Sequence, residues 1–522
     1  MVLTVSEAGF GDRDISSLAS QTQPLMPFPR SSGVLLHPTS FPNRLGVGDL
    51  GPEAYRFIDF LHECHQRVWQ VLPLGPTGHG NSPYMSYSSM AGNPLLISLD
   101  SLGEAGLLTH EELAVPDITT PTVDYDAATQ AKMPLLAKAA DRFQAQASDE
   151  QRQSFEAFCR DREFWLDGYA LFMALKQAHG GQSWTQWDTD IARRQPEAIA
   201  QWTQKLSHEV FHQKYWQFLF HQQWSWLRQY ANERGISILG DMPFYVAHDS
   251  ADVWEFPDRF LLEPDGQPSS VAGVPPDYFS ATGQLWGNPI FNWERIESLG
   301  FQWWIQRFEA LLAFVDIIRI DHFRGFQAYW EVPGDEATAM NGKWVEAPGE
   351  ALFDRLKQEI GSLPIIAEDL GVITPEVEAL RDRYEFPGMR ILQFAFGSGP
   401  DNAYLPFNYN QNCLVYTGTH DNDTTVGWYE SVDDYAKTSL HDYLGQLGPD
   451  GIHWDMIRLA LSSTANQAII PLQDLMGLGT EHRMNTPGLG EGNWVWRYHP
   501  ADITDHLKGY FRHLTQLYGR AQ

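Results

Sequence analysis

The chain has 522 residues, 43% of them hydrophobic and 20% charged, a balance that suits a large folded protein and not a disordered one. Sixty-six acidic residues against 36 basic ones give a formal net charge of -30, which argues against nucleic acid or an anionic membrane surface as partner. No stretch approaches the ~18 apolar residues of a membrane span. The first thirty residues carry Glu7, Asp12 and Asp14 without an apolar core, so no secretory signal is expected. Cys64, Cys159 and Cys413 are scattered and odd in number, a usage that fits a reducing cytoplasm.

Taken in chain order, eight short runs rich in Val, Ile, Leu and Phe have the length of buried strands. They fall at 33–36, 68–74, 236–239, 314–320, 364–367, 389–396, 413–417 and 468–472. Helical patterns lie between most of them. The clearest spans 208–234, with Phe211, Tyr215, Phe218, Leu219, Trp226 and Tyr230 near one face and Gly235 as a C-terminal stop. Thr374-Pro375-Glu376 reads as a helix start, with Thr as N-cap and Pro at the first position. Strand–helix alternation repeated eight times predicts an α/β fold, a (β/α)₈ TIM barrel filling residues 1–522 as one catalytic unit. Residues 76–235 read as an insertion with a helical subdomain between strands 2 and 3. Residues 243–304, rich in Gly, Pro, Asp and aromatics, read as an ordered, loop-rich insertion over the site.

In such barrels the reacting groups stand at the carboxyl ends of strands. Four predicted strands run into acids: Asp241, Asp321, Glu368-Asp369, and Asp421 after His420. One acid there is commonly a turn cap; four on one rim point to acid–base, nucleophilic or metal chemistry. Arg319 and Asp321 are two apart and face the same way on a strand. The guanidinium should therefore lower the pKa of Asp321 and keep a nucleophile ionised. Glu368 follows the apolar run Pro364-Ile365-Ile366-Ala367, a dry setting that should raise its pKa and suit a general acid. Asp369 alternates to the other face and is given no catalytic role. His62, Cys64 and His65 lie close together on a predicted helix, where His62 and His65 share a face but no other ligand cluster accompanies them, so a surface helix explains them better than a structural zinc site.

These residues sit in long ordered motifs that together resemble the 4-α-glucanotransferase (amylomaltase, or disproportionating enzyme) family of the α-amylase clan. The motifs run from about residue 33 to 500: Asn81-Ser82-Pro83-Tyr84, Gly240-Asp241-Met242-Pro243-Phe244-Tyr245, Gly273-Val274-Pro275-Pro276-Asp277-Tyr278-Phe279, and Gly283-Gln284-Leu285-Trp286-Gly287-Asn288-Pro289. They continue with Arg319-Ile320-Asp321-His322-Phe323-Arg324, Ala367-Glu368-Asp369-Leu370-Gly371, Thr419-His420-Asp421-Asn422 and Arg483-Met484-Asn485-Thr486. The resemblance implies that Asp321 is the nucleophile, Glu368 the acid/base and Asp421 the transition-state stabiliser. It implies that Asp241, Arg319 and His420 bind the sugar at the cleavage point, with Tyr84 stacking nearby and Trp286 as a further contact. The loop of Tyr278 and Phe279 is similar to one that arches over the glucan in the family. At two positions the chain departs from the family pattern: His79 stands where members often carry Tyr, and Asn81 where they carry Asp, in an outlying glucan-stacking site. Without an amino-terminal extension before the first strand, the chain resembles the family's compact form.

The expected chemistry is transfer of α-1,4-glucan segments to a 4-hydroxyl acceptor, glucose or a maltooligosaccharide, by a retaining double displacement. That scheme sets the two reacting carboxyls ~5–5.5 Å apart and calls for no metal or other cofactor. Three other readings stay open on the residues alone: an α-amylase-type hydrolase with the same carboxylates, a non-catalytic glucan binder, and a metal-dependent barrel enzyme with Asp241, Asp321 and Glu368 as ligands. Sensitivity to chelators separates the last from the rest.

Overall fold

The computed structural model describes residues 28–276 and 280–521. Among them eight strands form one parallel sheet: β1 Ser31–Leu35, β2 Val68–Gln70, β3 Ser237–Met242, β4 Ile317–Ile320, β5 Ile365–Ala367, β6 Gly388–Ile391, β7 Cys413–Tyr416 and β8 Gln467–Pro471. Their order is β6-β7-β8-β1-β2-β3-β4-β5, so sequence neighbours are also spatial neighbours. The gap between β5 and β6 is bridged where Ala367 N–H donates to Pro387 O at 2.9 Å and Met389 N–H to Asp369 Oδ1 at 2.6 Å. The result is a nearly closed (β/α)₈ barrel.

The strands form because their side chains are apolar on both faces, the composition a parallel sheet needs when helices cover its outside. β1, β7 and β8 are buried along their whole length. At Gly33 any Cβ would stand 2.2 Å from Val68 O, so only glycine lets β1 and β2 approach this closely. Each of the eight predicted runs contains or overlaps a strand, but three overshoot: 68–74, 314–320 and 389–396. Burial continues past the hydrogen-bonded ladder there, through Val71, Leu72 and Leu74 after β2 and Leu392 after β6, while Phe314 and Val315 precede β4. Buried apolar residues do not have to be strand residues; the chain is already bending over the rim.

Between β2 and β3 the described residues hold eight α-helices, the longest being Tyr125–Gln146 and Ser207–Glu233. The second ends where predicted, with Gly235 at φ 70°. Its buried face differs from the expected one. Trp226 is 42% exposed, and Trp224 and Leu227 point inward in its place, because this long helix is packed on several sides. Pro375 opens the helix Pro375–Arg383, but the side chain of Thr374 accepts no backbone N–H there.

The segment 243–304 is more regular than a loop. It supplies strands Ser270–Val274 and Gln284–Pro289, which join Ala328–Pro333 and Lys343–Glu346 in a four-stranded antiparallel sheet. Half of that sheet comes from beyond β4, which is why sequence-local reading of 243–304 could not assemble it. No helix among the described residues is long and apolar enough to cross a membrane.

Candidate active site

The acids predicted at the rim converge. Asp321 N–H donates to Met242 O at 3.0 Å and Glu368 N–H to Ile320 O at 3.0 Å, so each acid continues its strand's ladder by one residue and inherits its rigidity. Arg319, buried on β4, is the hub. Its Nη1 donates to Asp241 Oδ2 at 2.6 Å, and its Nη2 lies 3.1 Å from Asp321 Oδ1. The expectation for Asp321 requires a correction. Arg319 does act to lower its pKa, but burial outweighs it and the net displacement is upward, with Asp421 adding in the same direction. The cation is shared, and its shorter contact is with Asp241.

Glu368 behaves as its apolar approach predicts. Burial pushes it up to about 7, against the opposing pull of Arg319 and of two backbone amides, while the Asp321 carboxylate adds to the rise. Those amides are His322 N–H, donating to Oε2 at 2.7 Å, and Leu370 N–H, donating to Oε1 at 2.8 Å. The first contact depends on a left-handed residue, since His322 sits at φ 54° directly after Asp321. A non-glycine residue in that region carries strain that surrounding structure must hold, a feature concentrated at functional sites. Asp241 is likewise raised to about 7, with burial first and Arg319 opposing.

Tyr84 closes the other side. Its hydroxyl donates to Asp241 Oδ2 at 2.8 Å and lies 2.8 Å from His420 Nε2, with the two rings stacked at 5.3 Å and 11°. A hydroxyl has one proton, so with that proton on Asp241 the network assigns the His420 proton to Nε2, donating to Tyr84. Burial lowers the His420 pKa, which keeps the ring neutral, although Asp421 pulls the other way. Asp421 keeps 44% of its side chain exposed, against 0% for Asp241. Asp421 Oδ1 accepts from Asn485 Nδ2 at 2.6 Å, and its backbone carbonyl from Arg483 Nη2 at 2.7 Å.

Trp286 stands on the antiparallel sheet with its ring edge-on to His322, centroids 4.9 Å apart. Tyr278 and Phe279 lie outside the described residues. Asn81 adopts φ 56° in the turn His79–Asn81. Three residues near the acids were given no role from sequence. Asn485 and Arg483 position Asp421, and Trp494 packs 5.8 Å from Tyr84 and 6.0 Å from His420. The signal for the first two was the Arg483-Met484-Asn485 motif; for Trp494 it was the Trp494-Val495-Trp496 pair near the end of the chain. His62, Cys64 and His65 make separate contacts, to Arg234 O, Lys508 O and Gln516 Nε2 respectively. Asp369 faces away and pairs with Arg381 and Arg390.

Comparison with known proteins gives a consistent result. The family described as 4-alpha-glucanotransferase, glycoside hydrolase family 77, matches residues 36–504. A 4-alpha-glucanotransferase of Synechocystis sp. is 55% identical over 495 residues, covering 94% of this chain and 98% of that one. One from Thermus thermophilus is 49% identical, with 92% and 97% covered. The solved structure of the amylomaltase from Streptococcus agalactiae in complex with acarbose superposes with a TM-score of 0.91 at 40% identity, covering 94% of this chain and all of that one.

Proposed function

The chain belongs to the 4-α-glucanotransferase family, and from that premise we propose that Asp321, Glu368 and Asp421 carry out the transfer as nucleophile, acid/base and stabiliser. The observation that carries this reading is the unequal treatment of Asp321 and Glu368 on neighbouring strands. Asp321 pairs with Arg319 at 3.1 Å, whereas Glu368 makes no ion pair among the described residues and is pushed up to about 7. A carboxylate beside a guanidinium and a carboxyl that retains its proton near neutrality are the two partners a double displacement needs.

In the first step Asp321 Oδ attacks the anomeric carbon of an α-1,4-linked glucosyl unit while Glu368 gives its proton to the departing glycosidic oxygen. A β-linked glycosyl–Asp321 ester forms and the bond to the leaving glucan breaks. In the second step the now ionised Glu368 takes the proton of an acceptor 4-hydroxyl, whose oxygen displaces Asp321 and restores the α configuration. Asp421, exposed at the cleft and held by Asn485 Nδ2, stabilises positive charge at the anomeric carbon and accepts from sugar hydroxyls. Tyr84, Asp241, Arg319 and His420 form one hydrogen-bonded unit that orients the sugar at the cleavage point, and Trp286 adds an apolar face. Transfer wins over hydrolysis when an acceptor sugar is positioned better than water. The aromatic surfaces of Tyr84 and Trp286, with Tyr278 and Phe279 as sequence-level candidates, favour that outcome. The substrates are thus α-1,4-glucans and maltooligosaccharides. Three free thiols, two of them buried, suit a cytoplasmic setting.

Incubation with maltotriose tests the reading. Glucose plus a ladder of longer maltooligosaccharides at constant total reducing ends is expected; a steady rise in reducing ends would mean hydrolysis and overturn it.

A further inference from the structure

The helical insertion carries a second cluster of chemistry-bearing side chains, remote in sequence from the acids of the barrel rim. His208 and His212 are four residues apart on the helix Ser207–Glu233, so both imidazoles project from one face. The helix Tyr125–Gln146 presents Asp141 to that face. Asp141 Oδ1 lies 2.7 Å from His208 Nε2 and 2.8 Å from His212 Nε2, and the two imidazole centroids are 4.1 Å apart. Among the described residues this is the one group in which three metal-ligating side chains bring their donor atoms within 4.8 Å of one another.

The two helices hold the cluster from behind. Phe143, two residues after Asp141, stacks on Tyr215 at 4.3 Å, and Trp216 Nε1 donates to Leu136 O at 3.1 Å. Backbones fixed in this way deliver the three donors without a loop having to order, the condition that makes a ligand set preorganised. His212 is the anchored member, with 9% of its side chain exposed, whereas His208 and Asp141 are 55% and 52% exposed and open the cluster to solvent.

We propose that His208, His212 and Asp141 form a binding site for a divalent transition cation of the zinc type, which straps the helix Tyr125–Gln146 to the helix Ser207–Glu233. Two imidazole nitrogens and one carboxylate oxygen are a donor set that suits zinc, and an i,i+4 histidine pair on a helix is a known way to present the first two. Around zinc, with bonds of ~2.0 Å, tetrahedral ligands stand ~3.3 Å apart. The present contacts must therefore open by about half an ångström, a movement the exposed His208 and Asp141 side chains can make. Binding requires each Nε2 to be free of its proton; the ion takes the place of those protons against Asp141, and the fourth position is left to water. All three side chains are taken up as ligands, so the role of the ion is to fasten the insertion.

Titration calorimetry of the metal-free full chain with zinc chloride near neutral pH, with magnesium chloride as control, tests this. Wild type should take up one zinc ion per chain and no magnesium, and its unfolding midpoint should rise with zinc. His208→Ala and Asp141→Asn change exposed side chains and should leave the fold and the transferase rate unaltered. Each should bind zinc at least about tenfold more weakly and lose the rise in midpoint. No zinc uptake by wild type would overturn the proposal, leaving the cluster as a hydrogen-bonded contact between helices. Unchanged uptake in both variants would overturn it equally, because the ion would then bind elsewhere.

Discussion

Glu368 and Asp369 are consecutive residues at the end of one barrel strand, and they meet opposite fates. Asp369 turns outward between β5 and β6, where Arg381 and Arg390 both pair with it and Met389 N–H donates to its Oδ1. The fit is tight enough that a Cβ on Gly388 would stand 2.3 Å from Asp369 Oδ2. Glu368 turns to the rim cluster, where Arg319 is the hub shared by buried Asp241 and half-buried Asp321. Two cations serve one acid on the first side; one cation serves several acids on the second. An over-neutralised carboxylate is a fastening. An under-neutralised cluster keeps a proton in reserve, and that proton can be spent on a leaving group.

The largest effects should separate these two acids. Glu368→Gln and Asp321→Asn should each lower the transfer rate on maltotriose by at least ~10²-fold while the unfolding midpoint stays within a few degrees of wild type. Retention of more than about a tenth of the rate in Glu368→Gln would remove it from the acid/base role.

Asp369→Ala should do the reverse. It takes from Arg390 its ion-pair partner and leaves Arg381 with only the exposed Asp382, at a cost of ~3 kcal/mol in denaturant unfolding. The protein that remains folded should keep most of its transfer rate. If activity vanished with stability intact, Asp369 would belong to the chemistry and the contrast would fail.

A smaller effect concerns pH. Glu368 holds its proton in the folded chain up to about 7, compared with ~4.3 for an unfolded glutamate. Between those values the folded state binds the extra proton, so the stability it contributes is complete below ~4.3 and is lost as pH rises through the folded value. Unfolding midpoints measured across this window should therefore fall more steeply with pH in wild type than in Glu368→Gln. Activity gives the partner measurement: Arg319→Ala removes the charge that pulls Asp321 down and should move the acidic limb of kcat/KM to higher pH. An unmoved limb with a lower rate would leave Arg319 as a sugar-positioning group only.

The smallest expected effect sharpens the role of Asp421. Asn485→Ala removes one hydrogen bond to its carboxylate, an interaction with a charged group worth ~1.5–3 kcal/mol. Because Arg483 still holds the Asp421 backbone, kcat should fall about tenfold with KM and midpoint little changed. Loss confined to KM would assign Asn485 to substrate binding and not to positioning Asp421.

Much of this site was legible as sequence. Glu368 after Ile365-Ile366-Ala367 reads as an acid in a dry place, and burial is what raises it. Arg319 and Asp321 read as a pair because strand geometry puts alternate residues on one face, and they stand 3.1 Å apart. The sign of the net effect on Asp321 was not legible. It depends on how much water the fold removes and on Asp241, whose strand lies nearly eighty residues earlier and which makes the shorter contact with Arg319. Asn485 and Trp494 reach the site from the far end of the chain, and the Asp141–His208–His212 cluster joins two helices that no periodicity connects.

What the sequence by itself determined, then, is whatever rests on local rules: eight apolar strand cores, the acids that follow them, the stop at Gly235, and the ordered motifs that identify the family. Tertiary structure decided what rests on sums over distant groups. Strand ends followed the hydrogen-bond ladder and not the apolar run, the inward face of the long helix followed its several neighbours, and half of the antiparallel sheet came from beyond β4. The protonation of the rim followed the same logic. A pKa is set by burial and by every charge within reach, and only the closed barrel brings Asp241, Arg319, Asp321, Glu368 and Asp421 within reach of one another.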